Sequence, residues 1–402
     1  MKLRTRLMSL FSLTALGAIG VATLLAESNN KEKKLHLELD STPINRTGTT
    51  GPRSYAPMLE QAQDTVVSVY TAEIIRVVRR SRSSEDEILR RFFGIPSPRR
   101  NYEPEVKERL IPQGVGSGVI VREDGYIVTN SHVVSNQRGE EADEVLVRLN
   151  DGRELPAKII GRDPRTDIAV LKVEATELPT AKIADSTQIK VGDIVFAIGN
   201  PMGVGLTVTS GIVSATGRQI GIYGKGGYEN FIQTDASINP GNSGGALVDI
   251  EGRLIGINSA ILSHTGTNAG IGFAIPSNLT VNITDQLTGF GQVRRGLLGV
   301  RTEDVSHEIA KKFGLENVRG ALVLEVVSGL PADKAGLKQG DIIVSIDNEE
   351  IENSNSLRLN VSQRAPESTI KITAIRQEKE KDFTLTLADQ SDQLRSLRRK
   401  LP

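Results

Sequence analysis

The sequence predicts a mostly β protein with two folded domains, and three observations support this prediction. The chain has 402 residues, a length at which two domains are the natural expectation. Hydrophobic residues make up 38% and aromatic residues only 4%, so the cores must rely on Val, Ile and Leu, of which Val and Ile favour strands. Short apolar runs recur at close spacing between glycine-containing turns, a pattern typical of β-barrels or sandwiches.

The N-terminal 26 residues have the pattern of an export signal. Lys2, Arg4 and Arg6 precede an uncharged, mostly apolar stretch over residues 7–26. This stretch is long enough to span a bilayer, although polar residues and glycines dilute it. We therefore expect residues 1–26 to be either a cleaved signal peptide or a retained membrane anchor; a buried N-terminal helix of the fold is the remaining alternative. The polar residues 27–54 are expected to form a flexible linker.

Charge and cysteine content narrow the function classes. Lys+Arg and Asp+Glu are both 49, so the formal net charge is zero and the overall charge indicates no nucleic-acid partner. The chain has no cysteine. This excludes a disulfide scaffold, a thiol nucleophile and a cysteine-ligated metal.

A first, larger domain is predicted from its strands. They cover residues 65–70, 116–121, 126–129, 145–149, 157–160, 168–173, 194–198, 207–215 and 247–258. Residues 116–129 form the clearest hairpin, with a turn at Glu123-Asp124-Gly125. An arginine-rich insert over residues 74–111 is expected to be a solvated loop or, alternatively, a regulatory or oligomer-contact loop. A helical pattern over residues 277–287 closes the domain.

A second, smaller unit is predicted over residues 291–388. Its strands are expected at residues 321–327, 342–346, 370–375 and 383–387, with a short helix over residues 353–363. The basic residues 389–402 are expected to form a frayed, solvated tail.

The turn Gly241-Asn242-Ser243-Gly244-Gly245 is the candidate centre of the chemistry. Its glycines exclude a regular helix or strand and permit a tight turn that exposes the Ser243 hydroxyl. The amides of Gly241 and Ser243 would then converge on one point. An exposed nucleophile beside an oxyanion hole defines a serine acyl-transfer site. From these five residues alone, an ordinary glycine-rich hairpin turn remains an alternative.

A base and its partner are predicted elsewhere in the chain. His132 directly follows the strand over residues 126–129, where a rigid strand end would hold a general base in place; a structural histidine is the alternative. Asp167 precedes an apolar strand and would need a partner such as His132 if it is buried; a turn or capping aspartate is the alternative. The order His132, Asp167, Ser243 is the one found in chymotrypsin-type enzymes.

Three blocks of sequence closely resemble the HtrA/Deg family of bacterial envelope serine proteases. They lie in the same order as in the family and cover residues 129–134, 166–171 and 235–247. The resemblance implies a mostly β fold, with a chymotrypsin-like double β-barrel protease domain over residues 55–289 and one α+β PDZ domain over residues 291–388. Because soluble periplasmic members usually carry two PDZ domains, the single one leaves assembly into large cages open.

The resemblance also implies the site residues, and it implies no metal or cofactor. The catalytic residues would be His132, Asp167 and Ser243. The oxyanion hole and substrate-binding residues would be Gly241, Asn242, Ser243, Ile238, Asn258, Ser259, Ala260 and Ile261. Ile238 would lie at a pocket for small aliphatic side chains. The loop that binds a peptide carboxylate would be Gly296, Leu297, Leu298, Gly299 and Val300, which without the resemblance would be an ordinary strand start.

The implied function is that of an ATP-independent serine endopeptidase of the periplasm or cell envelope. It would degrade unfolded or misfolded proteins during stress and recognise peptide C-termini through the PDZ domain. Its expected partners are these polypeptides and copies of the same chain in a trimer, without nucleic acid, and membrane attachment through residues 7–26 stays open. The alternatives are a non-enzymatic periplasmic chaperone or peptide-binding protein and an esterase of similar mechanism.

Overall fold

A computed structural model describes most of the chain. The residues described are 35, 37–44, 46, 54–79, 105–200, 205–261, 269–315 and 317–391. The predicted signal or anchor over residues 1–26 lies outside them, as do residues 80–104 of the arginine-rich insert. Within the described ranges, no helix is both long enough and apolar enough to cross a membrane.

The larger unit is built almost entirely from strands. Its elements are β1 (Leu39–Asp40), α1 (Ala56–Asp64), β2 (Val66–Arg79), β3 (Glu105–Arg122), β4 (Tyr126–Asn130), β5 (Glu144–Arg148), β6 (Glu154–Asp163), β7 (Ile168–Val173), β8 (Ile183–Ala184), β9 (Ile194–Gly199), β10 (Thr207–Arg218), a 3₁₀ helix (Gly224–Gly226), β11 (Phe231–Thr234), β12 (Ala246–Val248), β13 (Leu254–Ile261), β14 (Gly272–Pro276) and α2 (Ser277–Phe290).

Strands β2 to β7 form the first barrel, which is closed in the order β2-β3-β4-β7-β6-β5. Its neighbouring strands are all antiparallel. The predicted hairpin joins β3 to β4, and Gly125 has a φ of 100° at its turn. The interior is filled mainly by Val, Ile and Leu side chains, among them Val69, Ile127 and Leu171.

A second barrel follows in the chain. The strands β13-β12-β9-β10-β11-β14 are neighbours in that order, and a pairing between β13 and β14 closes the ring. Strands β8 and β1 extend this sheet as parallel neighbours beside β13. A core shared by the barrels contains Val119 and Val128 of the first and Ile198 and Leu254 of the second. The predicted mostly β, double-barrel class is confirmed.

Helix α2 closes the larger unit, as its sequence pattern predicts. Leu279, Ile283 and Leu287 recur every four residues and bury one face of the helix. At Gly161 in β6, a Cβ atom would lie 3.2 Å from Leu287 Cδ2, so glycine lets this helix approach the sheet. The helix ends at Gly291, whose φ of 68° is the left-handed conformation usual at helix ends.

Part of the segment predicted to be a flexible linker is packed instead. Leu35 is 1% exposed, because it joins the shared core of the barrels. Strand β1 pairs with β8, and Arg46 forms an ion pair with Asp193 at 2.7 Å. The prediction of a flexible tether is therefore wrong for residues 37–44, where apolar side chains and strand pairing hold the chain on the second barrel.

Two further predictions about strands are corrected. The ends of the predicted arginine-rich loop are strands, since β2 and β3 continue as an antiparallel ribbon to the pair Arg79 and Glu105. The long strand predicted over residues 247–258 is two strands, β12 and β13. The Asp249 carboxylate accepts hydrogen bonds from the amides of Glu251 and Arg253 and so forms a turn between them.

The smaller unit combines a sheet with short helices. Its elements are β15 (Gly296–Leu297), β16 (Val300–Asp304), α3 (His307–Lys312), β17 (Ala321–Val326), α4 (Pro331–Lys334), β18 (Ile342–Ile346), β19 (Glu349–Glu350), α5 (Ser354–Gln363), β20 (Thr369–Arg376), β21 (Lys379–Thr386) and β22 (Ala388–Asp389).

Strand β16 is the edge of the main sheet, whose order is β16-β17-β18-β20-β21. Helix α5 begins where the sequence predicts it, because Asn353 and Ser356 form a reciprocal capping box. Helix α5 contacts both β15 and β16, so it lies beside the edge strand of the sheet.

The two units meet at Tyr228. The guanidinium carbons of Arg295 and Arg358 lie 4.6 and 4.9 Å from its ring centroid. The Tyr228 hydroxyl accepts a hydrogen bond from Gln390 at 2.8 Å. Arg295 also forms a buried ion pair with Asp163. The start of the predicted frayed tail is therefore ordered, with Asp389 paired to Gly296 and Gln390 held against the larger unit.

Candidate active site

A cleft of ≈ 550 Å³ lies between the two barrels. Of the three candidate catalytic residues, His132 and Ser243 line it. The other lining residues are Thr71, Gln113, Gly114, Val115, Val133, Ser135, Asn136, Gln137, Ile238, Asn239, Pro240, Gly241, Ser259, Ala260 and Ile261. The cleft is the size of a site for a small ligand or a few peptide residues.

His132 follows the end of β4 and is held by Asp167. Its Nδ1 lies 2.8 Å from Asp167 Oδ2 and 3.0 Å from Oδ1. The His132 amide also donates to Asp167 Oδ1 at 3.0 Å. The imidazole is 51% exposed and the carboxylate 5%, so the carboxylate orients the ring from below while the other ring nitrogen remains available to the cleft.

Asp167 has an unusual backbone, with a φ of 59° directly before β7. Its carbonyl oxygen accepts hydrogen bonds from the Ser131 amide at 3.1 Å and from Asn130 Nδ2 at 3.0 Å. Aspartate tolerates the left-handed conformation better than most residues. The bonds from the end of β4 therefore hold β4 and the start of β7 together, and with them His132 and Asp167.

The environment raises the pKa of His132. Desolvation opposes this by lowering the pKa, but the charge of Asp167 and its hydrogen bond to the imidazole raise it, and the net direction is upward. An imidazole in this environment is suited to accept a proton, because the carboxylate stabilises the cationic form that results.

Ser243 lies on the turn between β11 and β12. Its Oγ donates to the Ser259 carbonyl at 3.2 Å. Among the hydrogen bonds of the described residues none joins Ser243 to His132, so the hydroxyl must turn from that carbonyl to reach the base. Such a gap is common in the absence of substrate.

The turn around Ser243 is tied to β3. The Ser117 amide donates to the Ser243 carbonyl at 2.8 Å, and Ser117 Oγ donates to the Gly241 carbonyl at 2.7 Å. Gly244 has a φ of 83°, and a Cβ there would lie 2.1 Å from the Ser117 carbonyl oxygen. Only glycine fits at this position.

Two amides of the turn remain available for a ligand. Within the part of the chain that the structure describes, neither the Gly241 nor the Ser243 amide donates to a protein acceptor. Gly241 has a φ of 100°. Unpaired amides that border a cleft can stabilise an anionic oxygen.

Ile238, Ser259, Ala260 and Ile261 all line the cleft, as predicted for substrate-binding residues. Ile238 is 1% exposed and packs against Gly272, so it forms an apolar floor.

Asn242 and Asn258 do not line the cleft, although both were predicted to bind substrate or to form the oxyanion hole. Asn242 is 1% exposed, and its Nδ2 donates to the Ser237 carbonyl at 3.4 Å. Asn258 is fully buried, and its Nδ2 donates to the carbonyls of Ile198 and Ala246. Their amides hold the turn and the barrel strands together from beneath.

Sequence reasoning missed Tyr223, whose hydroxyl lies 3.2 Å from Asp167 Oδ2. It belongs to the glycine-rich loop before β11, where nothing in the sequence separates a functional tyrosine from a surface one. Of the other histidines, His307 begins α3 in the smaller unit, and His36 and His264 lie outside the described residues.

The second predicted site, residues 296–300, lies in the smaller unit. Gly296 and Leu297 pair with β22, Leu298 is 3% exposed and Val300 begins the edge strand β16. Gly299 has a φ of 87°. In the described part of the chain the amides of Leu298 and Gly299 donate to no protein acceptor. The loop thus offers unpaired donors beside an unpaired sheet edge.

Comparison with known proteins matches both units. A model described as a trypsin-like peptidase domain matches residues 116–257, and one for the PDZ domain matches residues 296–387. A probable periplasmic serine protease do/HhoA-like of Haemophilus influenzae is 45% identical over 349 residues, which cover 85% of this chain and 73% of the relative. The periplasmic pH-dependent serine endoprotease DegQ of Escherichia coli is 44% identical, with 83% and 70% covered.

A probable periplasmic serine endoprotease DegP-like of Chlamydia trachomatis is 46% identical over 75% of this chain, and the chain spans 59% of that relative's length. Among solved structures, the HtrA-type protease AlgW with tripeptide matches with a TM-score of 0.65 at 38% identity, covering 84% of this chain and 97% of the other. The HtrA-type protease AlgW with decapeptide matches with a TM-score of 0.63 at 39% identity, covering 84% and 99%.

Proposed function

The chain belongs to the HtrA/Deg family of trypsin-like serine endoproteases, and from this premise we propose that it hydrolyses peptide bonds in unfolded or misfolded polypeptides without ATP. The observation that carries the proposal is the contact between His132 and Asp167 at the cleft that also holds Ser243. A base oriented by a buried carboxylate, next to a serine on a tight turn, is the constellation of acyl transfer.

The proposed mechanism assigns one step to each group. His132 takes the proton of Ser243 as its Oγ attacks the substrate carbonyl, and Asp167 stabilises the imidazolium that forms. The amides of Gly241 and Ser243 bind the developing oxyanion. His132 then donates its proton to the leaving amine. In the second half of the reaction His132 takes a proton from the water that attacks the acyl-enzyme, and it returns this proton to Ser243 Oγ as the acid product leaves.

Substrate choice is proposed to follow from Ile238 and the strand end beside it. An apolar floor at Ile238 favours small aliphatic side chains next to the scissile bond. Ala260 and Ile261 border the same cleft and offer the main chain of β13 to an extended peptide.

The smaller unit is proposed to bind peptide C-termini. The unpaired amides of Leu298 and Gly299 would donate hydrogen bonds to the terminal carboxylate, and the peptide would add as a strand to the edge of β16. The two AlgW structures are described as peptide-bound, which supports peptide binding in this family.

The cell compartment and the assembly are proposed from the relatives. Their names place them in the periplasm, and we propose the same compartment here, with a role in protein quality control under stress. A trimer is the proposed assembly. Membrane attachment through residues 7–26 is the alternative to cleavage of that segment.

Cleavage of unfolded casein by the mature protein tests the proposed activity. The wild type should cleave casein, whereas Ser243→Ala should lose about 10⁴-fold or more of the turnover. Because the substitution only removes a hydroxyl, the variant should keep its thermal unfolding midpoint. Equal cleavage by both proteins would contradict the assignment, and turnover of short esters without casein cleavage would favour an esterase. Casein held soluble but uncut by the wild type would favour a chaperone.

A further inference from the structure

Two hydroxyl groups, those of Tyr223 and Ser259, reach the candidate catalytic carboxylate. Tyr223 Oη lies 3.2 Å from Asp167 Oδ2 and 2.7 Å from Ser259 Oγ, and Ser259 Oγ donates to the same carboxylate oxygen at 2.9 Å. The three oxygens form a closed triangle beneath His132.

Two protons serve these three contacts, because each hydroxyl group carries one. Either both hydroxyls donate to Asp167 Oδ2, or one of them donates to the other, which then donates to the carboxylate. In the first case the charged oxygen accepts two hydrogen bonds; in the second it accepts one, which the other hydroxyl strengthens by polarising the donor. Tyr223 and Ser259 therefore act on Asp167 as a unit.

The position of Tyr223 is fixed by its surroundings. Its ring packs against Phe231, with centroids 5.5 Å apart. The buried carboxylate of Glu229 accepts hydrogen bonds from three amides of the loop, those of Ile220 and Gly221 at 2.7 Å and that of Tyr223 at 2.9 Å. The Glu229 bonds hold the backbone of the loop in place, and the contact with Phe231 holds the ring.

We propose that Tyr223 is a positioning residue, which together with Ser259 fixes the Asp167 carboxylate in the orientation that holds His132. The proposal rests on the proposed peptidase function of this site. Tyr223 itself does not line the cleft, so it acts on the reaction only through Asp167.

The charges around the triangle determine how loss of the Tyr223 hydroxyl would change the pKa of His132. Asp167 and Glu229 are the charged groups that face Tyr223; burial and these two charges raise the pKa of its phenol well above the usual range, so it stays a neutral donor. A hydrogen bond donated to Asp167 offsets part of the carboxylate's negative charge and so weakens its attraction for the imidazolium. Without Tyr223, the pKa of His132 should therefore rise further.

The test compares two tyrosines of one loop. Tyr223→Phe removes the hydroxyl that faces Asp167 and keeps the ring against Phe231. Tyr228→Phe, the matched control, removes a hydroxyl whose partner is Gln390. Tyr223→Phe should move the acidic limb of the kcat/KM profile up by about half a pH unit, which lowers kcat/KM about threefold below the midpoint, with KM unchanged. The control should keep the wild-type midpoint.

A second readout needs no turnover. In full-length Ser243→Ala, the pKa of His132 can be read from the NMR shifts of labelled imidazole carbons, assigned with His132→Gln. Tyr223→Phe and Ser259→Ala should each raise it, and the double variant should raise it by more than the sum, because each hydroxyl can replace the other as donor to Asp167.

The two readouts separate this proposal from the proposed function. If the wild type cleaves nothing, the peptidase assignment fails, while the NMR titration still decides the link between Tyr223 and His132. An unchanged His132 titration in Tyr223→Phe, or an equal shift in Tyr228→Phe, would overturn the positioning role. A Tyr223→Phe variant that does not fold would assign the hydroxyl to structure and overturn it as well.

Discussion

Two glycine turns, one in each unit, present unpaired amides to a ligand. The turn at Gly241 and Ser243 borders the cleft between the barrels, and the turn at Leu298 and Gly299 borders the edge of the PDZ sheet. The first lies beside the pair of His132 and Asp167, whereas buried Leu298 is the apolar neighbour of the second. The first turn therefore combines anion-binding donors with a histidine that a carboxylate orients, whereas the second offers donors without such a histidine, as binding without chemistry requires.

The two turns also differ in what surrounds them. A Cβ at Gly244 would lie 2.1 Å from the Ser117 carbonyl oxygen, which is backbone and cannot yield. A Cβ at Gly299 would lie 2.4 Å from Leu330 Cβ. The turn at Ser243 is thus locked against a neighbouring strand, while the PDZ turn is shaped by the Leu330 side chain and the start of α4.

The largest effect is expected from a change of Asp167, the carboxylate that holds His132 beside the first turn and has no counterpart at the second. Asp167→Asn should lower casein turnover about 10⁴-fold, because the amide favours the wrong imidazole tautomer. Peptide affinity at the second turn should not change. Asp124→Asn, which alters an exposed ion pair with Arg122, is the matched control and should keep full activity. An Asp167→Asn variant as active as this control would remove Asp167 from its role.

A smaller effect is expected from the charge of the peptide at the second turn. In full-length Ser243→Ala, a peptide with a free apolar C-terminus should bind about tenfold to a hundredfold more tightly than the same peptide with an amidated terminus, since hydrogen bonds to a charged group are lost. Calorimetry with both forms measures this. Equal affinities would contradict carboxylate capture.

Glycine replacement tests the shape of the second turn. Gly299→Ala should weaken peptide binding about tenfold, because the new Cβ would clash with Leu330 and because alanine is strained at this positive φ. Gly336→Ala is the control: its φ of 83° is equally strained, but nothing lies within 4 Å of the new atom. If both variants lose affinity alike, the contact with Leu330 is not what shapes the loop.

The smallest effect is a displacement of the pH profile. Asp167 raises the pKa of His132, and only the neutral imidazole accepts the serine proton, so activity should increase with pH through a midpoint above the ordinary value of about 6.5. Peptide binding at the second turn should not follow this titration. A kcat/KM that is flat or falls between pH 6 and pH 8 would exclude His132 as the base.

Sequence alone predicted the β-rich class, the helices at residues 277 and 353, and His132, Asp167 and Ser243 as one site. The fold predictions rest on local apolar patterns, and the site on the glycines around Ser243, the strand beside His132 and the family resemblance, which also supplied Ile238, Ser259, Ala260 and Ile261. The correct prediction of the class and the two helices shows that short segments of sequence determine much of the secondary structure.

The misses depend on contacts between distant segments. Residues 37–44 look like a tether until β1 pairs with β8, and Asn258 looks like a cleft residue until its amide is seen to bond Ile198 and Ala246. Tyr223 approaches Asp167 across 56 positions of sequence, which no local pattern could reveal.

The most direct test of the account is covalent labelling with a fluorophosphonate, which reacts with a serine activated by a neighbouring base. Mass spectrometry of the digested wild type should find one phosphonyl group on Ser243, with a labelling rate that increases with pH, and Ser243→Ala and His132→Gln should remain unlabelled. A label on any other residue, or equal labelling of the Ser243→Ala variant, would contradict the claim that this turn and His132 form the catalytic centre.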